Sequence, residues 1–456
     1  MATTYLTRTQ KAGNRQTFTQ SFWVKLSNTT DQGLISSFKD SNNYSYCYID
    51  SSTQQLQLQW KSGGSVVAQL NTNRVFRDTS GWYNIIYAVD TTKATGADRI
   101  KLYVNGVQET SFATATYPGQ ISSEVNDNGT TQYIGSVDGT QQYLNGSMSY
   151  VAQIDGTQEL PGIFGETDST TGEWKIKTTI TPSVGWGNNG FLILKNGNSV
   201  TDQSGSSNDF AYSGGTLTNT EDCPDNVFAT LNPLDRWGSS TVALSAVLSS
   251  GNTQFNTGTN SVKAVARTTL GMSKGKYYCE LKIPQIERTW IGINNSNFYT
   301  SSTNNFWTTN LESGFFWYGN GTAIYNSNDV SYDTYGAYAN DDIVMMALDM
   351  DNYAFYLGKN GSWLNSGNPE SGSSKTGSVT GLTDFGTNPL TNYGEVFFMV
   401  GDSSTAGTAN TQWNFGNGVF GTTAVASAGT NASANGIFEY DVPTGYTALS
   451  TKGLNL

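Results

Sequence analysis

Ile100-Lys101-Leu102-Tyr103-Val104-Asn105-Gly106 and Phe355-Tyr356-Leu357-Gly358-Lys359-Asn360-Gly361-Ser362-Trp363 are the stretches that decide the fold. In each, a strand-forming run with alternating apolar residues reaches an Asn-Gly pair and continues beyond it. Asn-Gly suits the two positive-φ positions of a type I′ turn, so this pattern is the strongest short-range signal for a β-hairpin. One hairpin in each half of the chain predicts two antiparallel β-domains in tandem, an organisation that favours a binding protein over an enzyme.

The composition supports an all-β fold. The chain has 456 residues with 50 Gly, 25 Tyr and only 13% charged residues, and it shows no long helical periodicity. Gly, Thr, Asn and aromatic residues are typical of strands and turns, whereas long helices need Ala, Leu, Glu and Lys. We therefore predict two tandem antiparallel β-sandwiches, over residues 1–222 and 223–456, separated at the polar break Cys223-Pro224-Asp225-Asn226.

Charge, chain start and cysteine number narrow the class of protein. The net charge of −12 argues against a nucleic-acid partner, because phosphate binding needs clustered Lys and Arg. The start Met1-Ala2-Thr3-Thr4-Tyr5 shows no secretory signal, and no apolar run is long enough to span a bilayer. Cys47, Cys223 and Cys279 are too few and too widely spaced for a disulfide framework or a zinc site. We expect a protein made in a cytoplasm without export or membrane insertion, yet its composition resembles that of extracellular binding proteins. A virus particle released by lysis satisfies both conditions.

The complete absence of histidine limits the available chemistry. It excludes Ser-His-Asp and Cys-His nucleophiles and imidazole zinc sites, which leaves glycoside hydrolysis by paired carboxylates. Asp349-Met350-Asp351 has the best spacing for such a pair, but it leads into a turn sequence. Glu166-Thr167-Asp168 and Asp341-Asp342 lie in polar loop sequence. We interpret these carboxylates as turn and edge residues and predict that the protein is not an enzyme, while a carboxylate-dependent polysaccharide-degrading enzyme remains the alternative.

Residues 5–164 resemble laminin-G-like, concanavalin A-like jelly-roll domains. The resemblance rests on a series of landmarks: Ser21-Phe22-Trp23-Val24-Lys25, Trp82-Tyr83, Ile100–Gly106, Tyr133-Ile134-Gly135 and Tyr143-Leu144-Asn145-Gly146. Two further stretches, Tyr5-Leu6-Thr7-Arg8-Thr9 and Phe164-Gly165-Glu166-Thr167-Asp168, resemble a version found in structural proteins of bacteriophages, especially marine ones. The resemblance therefore implies a phage virion protein.

One part of the laminin-G-like pattern comes late in the chain. Such domains usually begin with an apolar strand followed by Asp-x-Ser-Gly, yet here Gly190–Leu194 and Asp202-Gln203-Ser204-Gly205 carry that pattern. We infer a permuted arrangement in which Gly190–Leu194 returns to pair within the first sandwich. The alternative is a linker that contains one stray strand.

Domains of this family often bind Ca²⁺ at the rim of the sandwich through carboxylate and carbonyl oxygens. Asp50, Asp90, Asp138 and Asp155 lie where a rim is expected. None belongs to a motif dense enough to identify a ligand, so each is interpreted as a turn or strand-end carboxylate. We assign no cofactor and no metal site, with Ca²⁺ left open.

The second half resembles the SPRY sandwich, in which loops at one end carry binding specificity. The resemblance rests on Gly275–Glu280, Trp290–Ile293, Ala347–Asn352 and Phe355–Trp363. Aromatic faces beside amides suit the apolar faces and hydroxyl rims of sugars. The predicted ligand-binding residues are Tyr299, Trp317, Tyr318 and Asn320, and the alternative for Trp317 is a place in the core.

Together these patterns predict a phage virion surface protein, either a head decoration or fibre or a tail fibre component. We expect it to contact other virion subunits and host-surface glycans and to form a homo-oligomer. A bacterial surface adhesin is a further alternative, although such a protein would need an export signal.

Overall fold

The computed structural model describes residues 3–238, 247–258, 264–286, 289–295, 311–319, 323–327, 331–379, 395–402 and 408–455. The chain divides into two compact units, of which the first contains residues 1–219 and 223–225 and the second contains residues 220–222 and 226–456. Among the described residues no helix is long and apolar enough to cross a membrane. Short 3-10 turns occur at Gly96–Asp98, Pro161–Ile163, Pro369–Ser374 and Gly453–Asn455.

The first unit is built from antiparallel strands. They are β1 Tyr5–Thr9, β2 Thr17–Leu26, β3 Gln32–Asp40, β4 Asn43–Ile49, β5 Gln55–Ser62, β6 Ser65–Val75, β7 Tyr83–Asp90, β8 Ile100–Val104, β9 Val107–Gln108, β10 Phe112–Thr116, β11 Thr131–Ile134, β12 Gly146–Asp155, β13 Gly165–Thr167, β14 Trp174–Ile176, β15 Phe191–Ile193 and β16 Ala211–Ser213. An eight-stranded sheet has the order β10-β6-β5-β4-β3-β11-β1-β16, and a six-stranded sheet has the order β15-β12-β2-β7-β8-β9.

The core of the first unit lies between its two sheets, and successive side chains of its strands point alternately into this core and away from it. In β5, Leu56, Leu58 and Trp60 are buried in this core, so the intervening Gln57 and Gln59 lie on the outer face. In β7, by contrast, both faces are buried. One side belongs to the main core, and the other packs in a second cluster with Phe164 and Leu192.

The late apolar strand completes the six-stranded sheet. β15 pairs antiparallel with β12, with Ile193 opposite Val151 and Phe191 opposite Gln153. The Asp202 carboxylate then holds the following turn, because it accepts hydrogen bonds from the backbone N–H groups of Leu192 and Ser204 at 2.9 and 2.8 Å. β16 pairs with β1 in the other sheet, so the segment after residue 190 adds an edge strand to each sheet.

The second unit is also an antiparallel sandwich. Its strands are β17 Leu231–Gly238, β18 Val247–Ser249, β19 Gln254–Asn256, β20 Ala264–Thr268, β21 Lys276–Gln285, β22 Thr289–Asn295, β23 Leu311–Tyr318, β24 Ala323–Ser327, β25 Ser331–Thr334, β26 Ile343–Asp349, β27 Ala354–Lys359, β28 Ser362–Trp363, β29 Val396–Asp402, β30 Asn410–Asn414, β31 Val419–Phe420, β32 Thr423–Ala424 and β33 Thr447–Ala448. The sheets have the orders β17-β20-β29-β22-β23-β24-β25 and β18-β19-β30-β21-β26-β27-β28.

Both Asn-Gly hairpins are present, and the all-β prediction is confirmed. The turn between β8 and β9 has φ of 48° at Asn105 and 75° at Gly106, and the turn between β27 and β28 has 50° at Asn360 and 82° at Gly361. Two consecutive positive φ values are the signature of a type I′ turn, whose twist matches that of the flanking strands.

A buried carboxylate ties the C-terminal segment to the second sandwich. Glu280 of β21 is fully buried, and it accepts hydrogen bonds from the backbone N–H groups of Glu439 and Tyr440, both at 2.8 Å. The Tyr278 hydroxyl donates a third bond at 2.8 Å. Burial raises the pKa of Glu280 to about 7, although these three bonds act in the opposite direction.

Truncation tests whether the late segment belongs to the first unit. We expect residues 1–222 to express as a soluble folded unit and residues 1–165 to aggregate, because the shorter piece loses β15, β16 and the cover of its second cluster. Unpaired edges and exposed apolar surface favour association. The measurement is the soluble fraction and the cooperativity of thermal unfolding. Equal behaviour of the two pieces would show that residues 166–222 are a linker.

Glu280 predicts a pH dependence of stability. Because its pKa is higher in the folded protein than in the unfolded chain, folding takes up a proton between about pH 4.5 and pH 7. Its contribution to stability is therefore largest below that window and falls by on the order of 3 kcal/mol as pH rises through it. Glu280→Gln should remove this fall from urea unfolding curves, but it should also lower stability, since the amide NH₂ would face a backbone N–H donor.

The matched control is Glu370→Gln. This exposed carboxylate accepts a bond from the Thr444 backbone N–H, which lowers its pKa, so its contribution to stability has the opposite sign. The fall in stability between pH 4.5 and pH 7 should persist in this variant. If the fall in stability disappeared in Glu370→Gln, or persisted in Glu280→Gln, the assignment to Glu280 would be contradicted.

Candidate functional site

Trp317 lies in the core of the second unit at 1% exposure. Its indole N–H donates to the Gly336 carbonyl oxygen at 3.0 Å, and its ring meets Tyr338 edge-on with centroids 4.7 Å apart. Trp317 therefore has the place in the core that was the alternative interpretation, and its ring has no exposed face to offer a ligand.

Tyr318 is the other predicted ligand-binding residue that the structure describes. It is half-buried, and its ring packs beside Trp290 on the neighbouring strand, with centroids 4.7 Å apart. Tyr318 and Trp317 are adjacent in β23 and so point to opposite faces of the sheet. Tyr299 and Asn320 lie outside the described residues.

The carboxylate pair with the best spacing for hydrolysis holds a turn. Asp349 is fully buried, accepts hydrogen bonds from the Asp351 and Asn352 backbone N–H groups, and forms an ion pair with Lys276 at 3.0 Å. Asp351 accepts a bond from the Gly275 backbone N–H at 2.8 Å. Both side chains thus join the β26–β27 turn to the start of β21.

The rim carboxylates considered for Ca²⁺ also have structural partners. Asp50, Asp90 and Asp138 each accept bonds from the residues that follow them, in the geometry of turn carboxylates. Asp155 is buried and accepts bonds from Asn14 N–H at 2.8 Å and from the Asn126 side-chain amide at 3.0 Å. Within the described ranges no group of three or more Cys, Asp or Glu side chains is placed to hold a metal ion.

A different surface combines partly exposed aromatic and amide groups, and it was not predicted from the sequence. It is the outer face of the eight-stranded sheet in the first unit. We call it the tyrosine–amide face and define it by residues of three adjacent strands: Tyr44, Tyr46 and Tyr48 of β4, Gln57 and Gln59 of β5, and Gln69 and Asn71 of β6.

The outer face of the six-stranded sheet is covered, whereas the tyrosine–amide face is partly accessible to solvent. The segment between β12 and β15 packs Ile163, Phe164, Ile180 and Trp186 over that other sheet. On the tyrosine–amide face, Tyr44, Tyr46, Gln59, Gln69 and Asn71 are half-buried, whereas Tyr48 and Gln57 are 9% and 8% exposed.

Hydrogen bonds set the direction of the amides. Gln59 Oε1 accepts from the Tyr44 and Tyr46 hydroxyls at 2.7 and 2.8 Å, and Gln57 Oε1 accepts from the Tyr48 hydroxyl at 2.8 Å. Because the tyrosines occupy the carbonyl oxygens, the NH₂ groups of both glutamines point away from them. Each has no protein partner among the described residues, so each can donate to a ligand.

The three tyrosine rings pack against one another, and Tyr46 and Tyr48 stay protonated. The Tyr44 and Tyr46 rings stack with centroids 4.6 Å apart and planes 9° apart, and Tyr48 meets Tyr46 edge-on at 5.2 Å. Burial raises the pKa of Tyr48 to about 12, with smaller contributions from Asp50 and Asp31. Burial also raises the pKa of Tyr46. Both hydroxyls are therefore hydrogen-bond donors at neutral pH.

Strand register arranges the face as two rows that run across the strands. In the first row Tyr46 lies opposite Gln59 and Gln59 opposite Gln69, and Gln69 is followed by Thr116 of β10. In the second row Tyr48, Gln57, Asn71 and Thr114 follow one another in the same way. Each row thus has a tyrosine, two amides and a threonine. Alternation in Tyr44-Ser45-Tyr46-Cys47-Tyr48 and in Leu56-Gln57-Leu58-Gln59 was the sequence signal for this surface.

The chain is similar to parts of several solved structures, and no curated protein matches it. The SPRY domain of human HERC1 is 14% identical, covers 40% of this chain and 94% of its own, and has a TM-score of 0.29. A native heptameric SAP-like pentraxin from Limulus polyphemus is 16% identical, with 35% and 72% covered and a TM-score of 0.27. Domain 4 of AbnA, an extracellular arabinanase from Geobacillus stearothermophilus in complex with arabinotriose, is 18% identical, with 32% and 64% covered and a TM-score of 0.25.

The family comparison concerns the unit that carries the tyrosine–amide face. Residues 1–157 match the model of a laminin-G family described as the concanavalin A-like lectin/glucanases superfamily. This span contains all strands from β1 to β12, and hence every residue of the face. The first unit is thus similar to concanavalin A-like lectins and glucanases.

Proposed function

We propose that this protein binds carbohydrate through the tyrosine–amide face and does not hydrolyse it. The observation that carries the proposal is the pair of Tyr–amide–amide–Thr rows on the outer face of a lectin-like sandwich. Sugars present hydroxyl rims and apolar faces, and clustered amides with aromatic edges match both.

The preorganised amides favour binding. A flexible glutamine loses side-chain entropy when it binds a ligand, which costs about 1 kcal/mol per side chain. On this face Gln57 and Gln59 are already oriented by the tyrosine hydroxyls, so less entropy remains to be lost. The same bonds leave the amide NH₂ groups available to the hydroxyl oxygens of a sugar.

We further propose that the carbohydrate is a host-surface glycan and that the protein is displayed on a bacteriophage particle, as a head decoration, fibre or tail fibre component. Support comes from the phage-like stretches Tyr5–Thr9 and Phe164–Asp168 and from the similarity of the first unit to lectins. Homo-oligomerisation and contact with other virion subunits would present several faces together, which strengthens weak glycan binding through avidity.

Substitution of the half-buried amides Gln59 and Gln69 tests the binding face. Gln59→Ala and Gln69→Ala should each weaken about tenfold the binding of a glycan that the native protein binds, since a lost hydrogen bond in a binding site is worth roughly 1–1.5 kcal/mol. The measurement is affinity electrophoresis or calorimetry with a glycan first identified on an array. Gln108→Ala in β9, an exposed glutamine of the other sheet, is the matched control and should bind normally. Unchanged binding in both face variants, with unchanged melting temperatures, would contradict the proposal.

The protein composition of purified particles tests the proposed virion role independently of glycan binding. We expect mass spectrometry of purified particles to detect the protein in constant proportion to the major capsid protein, because a displayed subunit is present in fixed copy number. Intact particles should also expose it to an antibody raised against the first unit. Recovery of the protein only from the soluble fraction of a lysate would remove the virion role and leave glycan binding to be judged on its own.

A further inference from the structure

We propose that the ligand of the tyrosine–amide face is an uncharged, linear polysaccharide that lies across the strands, along the two rows. This inference rests on the proposed carbohydrate binding and specifies its ligand class. It follows from the direction of the rows, from the donors they present and from the charges around them.

The rows define a direction and a length. Neighbouring strands in a sheet are about 4.8 Å apart, so four side chains on four strands span about 14 Å. The two rows are separated by two residues along each strand, which corresponds to about 7 Å. The polar track is therefore about twice as long as it is wide, a shape that suits three or four consecutive sugar units better than a branched or single sugar.

The track presents mainly donors. Gln57 Nε2, Gln59 Nε2 and Asn71 Nδ2 have no protein partner among the described residues, while Asn71 Oδ1 already accepts from Gln69 Nε2 at 3.2 Å. Thr114 and Thr116 follow the amides on β10. Hydroxyl and ring oxygens can accept from such donors at each successive position, so one polymer chain can use the whole row.

Charge disfavours an acidic polymer. The two rows contain no Asp, Glu, Lys or Arg side chain. Lys61 borders them, but its ammonium group donates to the Ser41 carbonyl oxygen at 2.9 Å and lies 5.8 Å from the centre of the Tyr44 ring. At the other end, the charges of Asp50 and Asp31 contribute to the raised pKa of Tyr48 and so place negative potential there.

The net charge of the whole chain is also negative. At −12 it repels a polyanion at long range, and no basic cluster on the rows offsets that repulsion. Binding of a neutral polysaccharide should consequently be insensitive to salt, because screening weakens only interactions between charges.

The test compares neutral and acidic oligosaccharides of defined length. Neutral gluco-, galacto-, manno- and xylo-oligosaccharides of two to six units, and a hexameric polyuronate, are titrated into the full chain by calorimetry at 50 and 500 mM NaCl. We expect at least one neutral series to bind, with affinity rising at least tenfold from two to four units and then levelling off. Salt should change the affinity less than twofold.

A variant at the end of the first row tests the orientation. Thr116→Ala should weaken binding of a tetrasaccharide several-fold but leave a disaccharide unchanged, because only the longer ligand reaches β10. Thr9→Ala in β1, an exposed threonine of the same sheet that lies outside the rows, should change neither. Equal effects of Thr116→Ala on the short and long ligands would overturn the proposed orientation.

The outcomes separate this inference from the proposed function. Salt-sensitive binding of the polyuronate alone, weakened by Gln59→Ala, would overturn the neutral class while supporting carbohydrate binding at the face. If a neutral oligosaccharide bound equally well to Gln59→Ala and Gln69→Ala, the tyrosine–amide face would not be the binding site. Binding of no oligosaccharide in the panel would count against both.

Discussion

A chain of buried amides crosses the first sandwich, and the arrangement of its strands depends on it. Arg8 of β1 donates to Gln132 at 2.7 Å, Gln132 donates to Gln153 on the opposite sheet at 2.7 Å, and Gln153 donates to Asn126 at 2.8 Å. All four are buried, and a buried polar group that loses its partner costs about 1–3 kcal/mol. The registers of β1, β11 and β12 therefore have to agree with one another.

The late segment is part of this network. The Asn189 carbonyl oxygen accepts a hydrogen bond from Arg8 at 3.0 Å, and the Phe191 ring packs against the guanidinium group, whose centre lies 4.9 Å from the ring. Burial lowers the pKa of Arg8 to about 10, while Asp202 and Asp155 favour its charged form. Because residues 189–202 supply a hydrogen-bond acceptor, an aromatic contact and a counter-charge, they stabilise the sandwich as well as lengthen a sheet.

The same architecture decides which surface of the first unit is accessible to solvent. Residues between β12 and β15 cover the six-stranded sheet, whereas most residues of the tyrosine–amide face on the eight-stranded sheet are half-buried and keep some solvent access. On that face the tyrosine hydroxyls both position the amides and occupy their carbonyl oxygens. In the second unit three carboxylates have structural roles: Glu280 secures the C-terminal segment, and Asp349 and Asp351 hold a turn.

The sequence by itself determined the local features of this protein. The Asn-Gly pairs predicted the two type I′ turns, and strict alternation in Leu56–Trp60 predicted a half-solvated strand, because both depend on the backbone preferences and periodicity of a few neighbouring residues. The tertiary structure alone decided that Trp317 is buried and that Tyr46, Gln59 and Gln69 form one row. Burial depends on what packs over a strand, and a row depends on the register of strands far apart in the chain, neither of which a local pattern encodes.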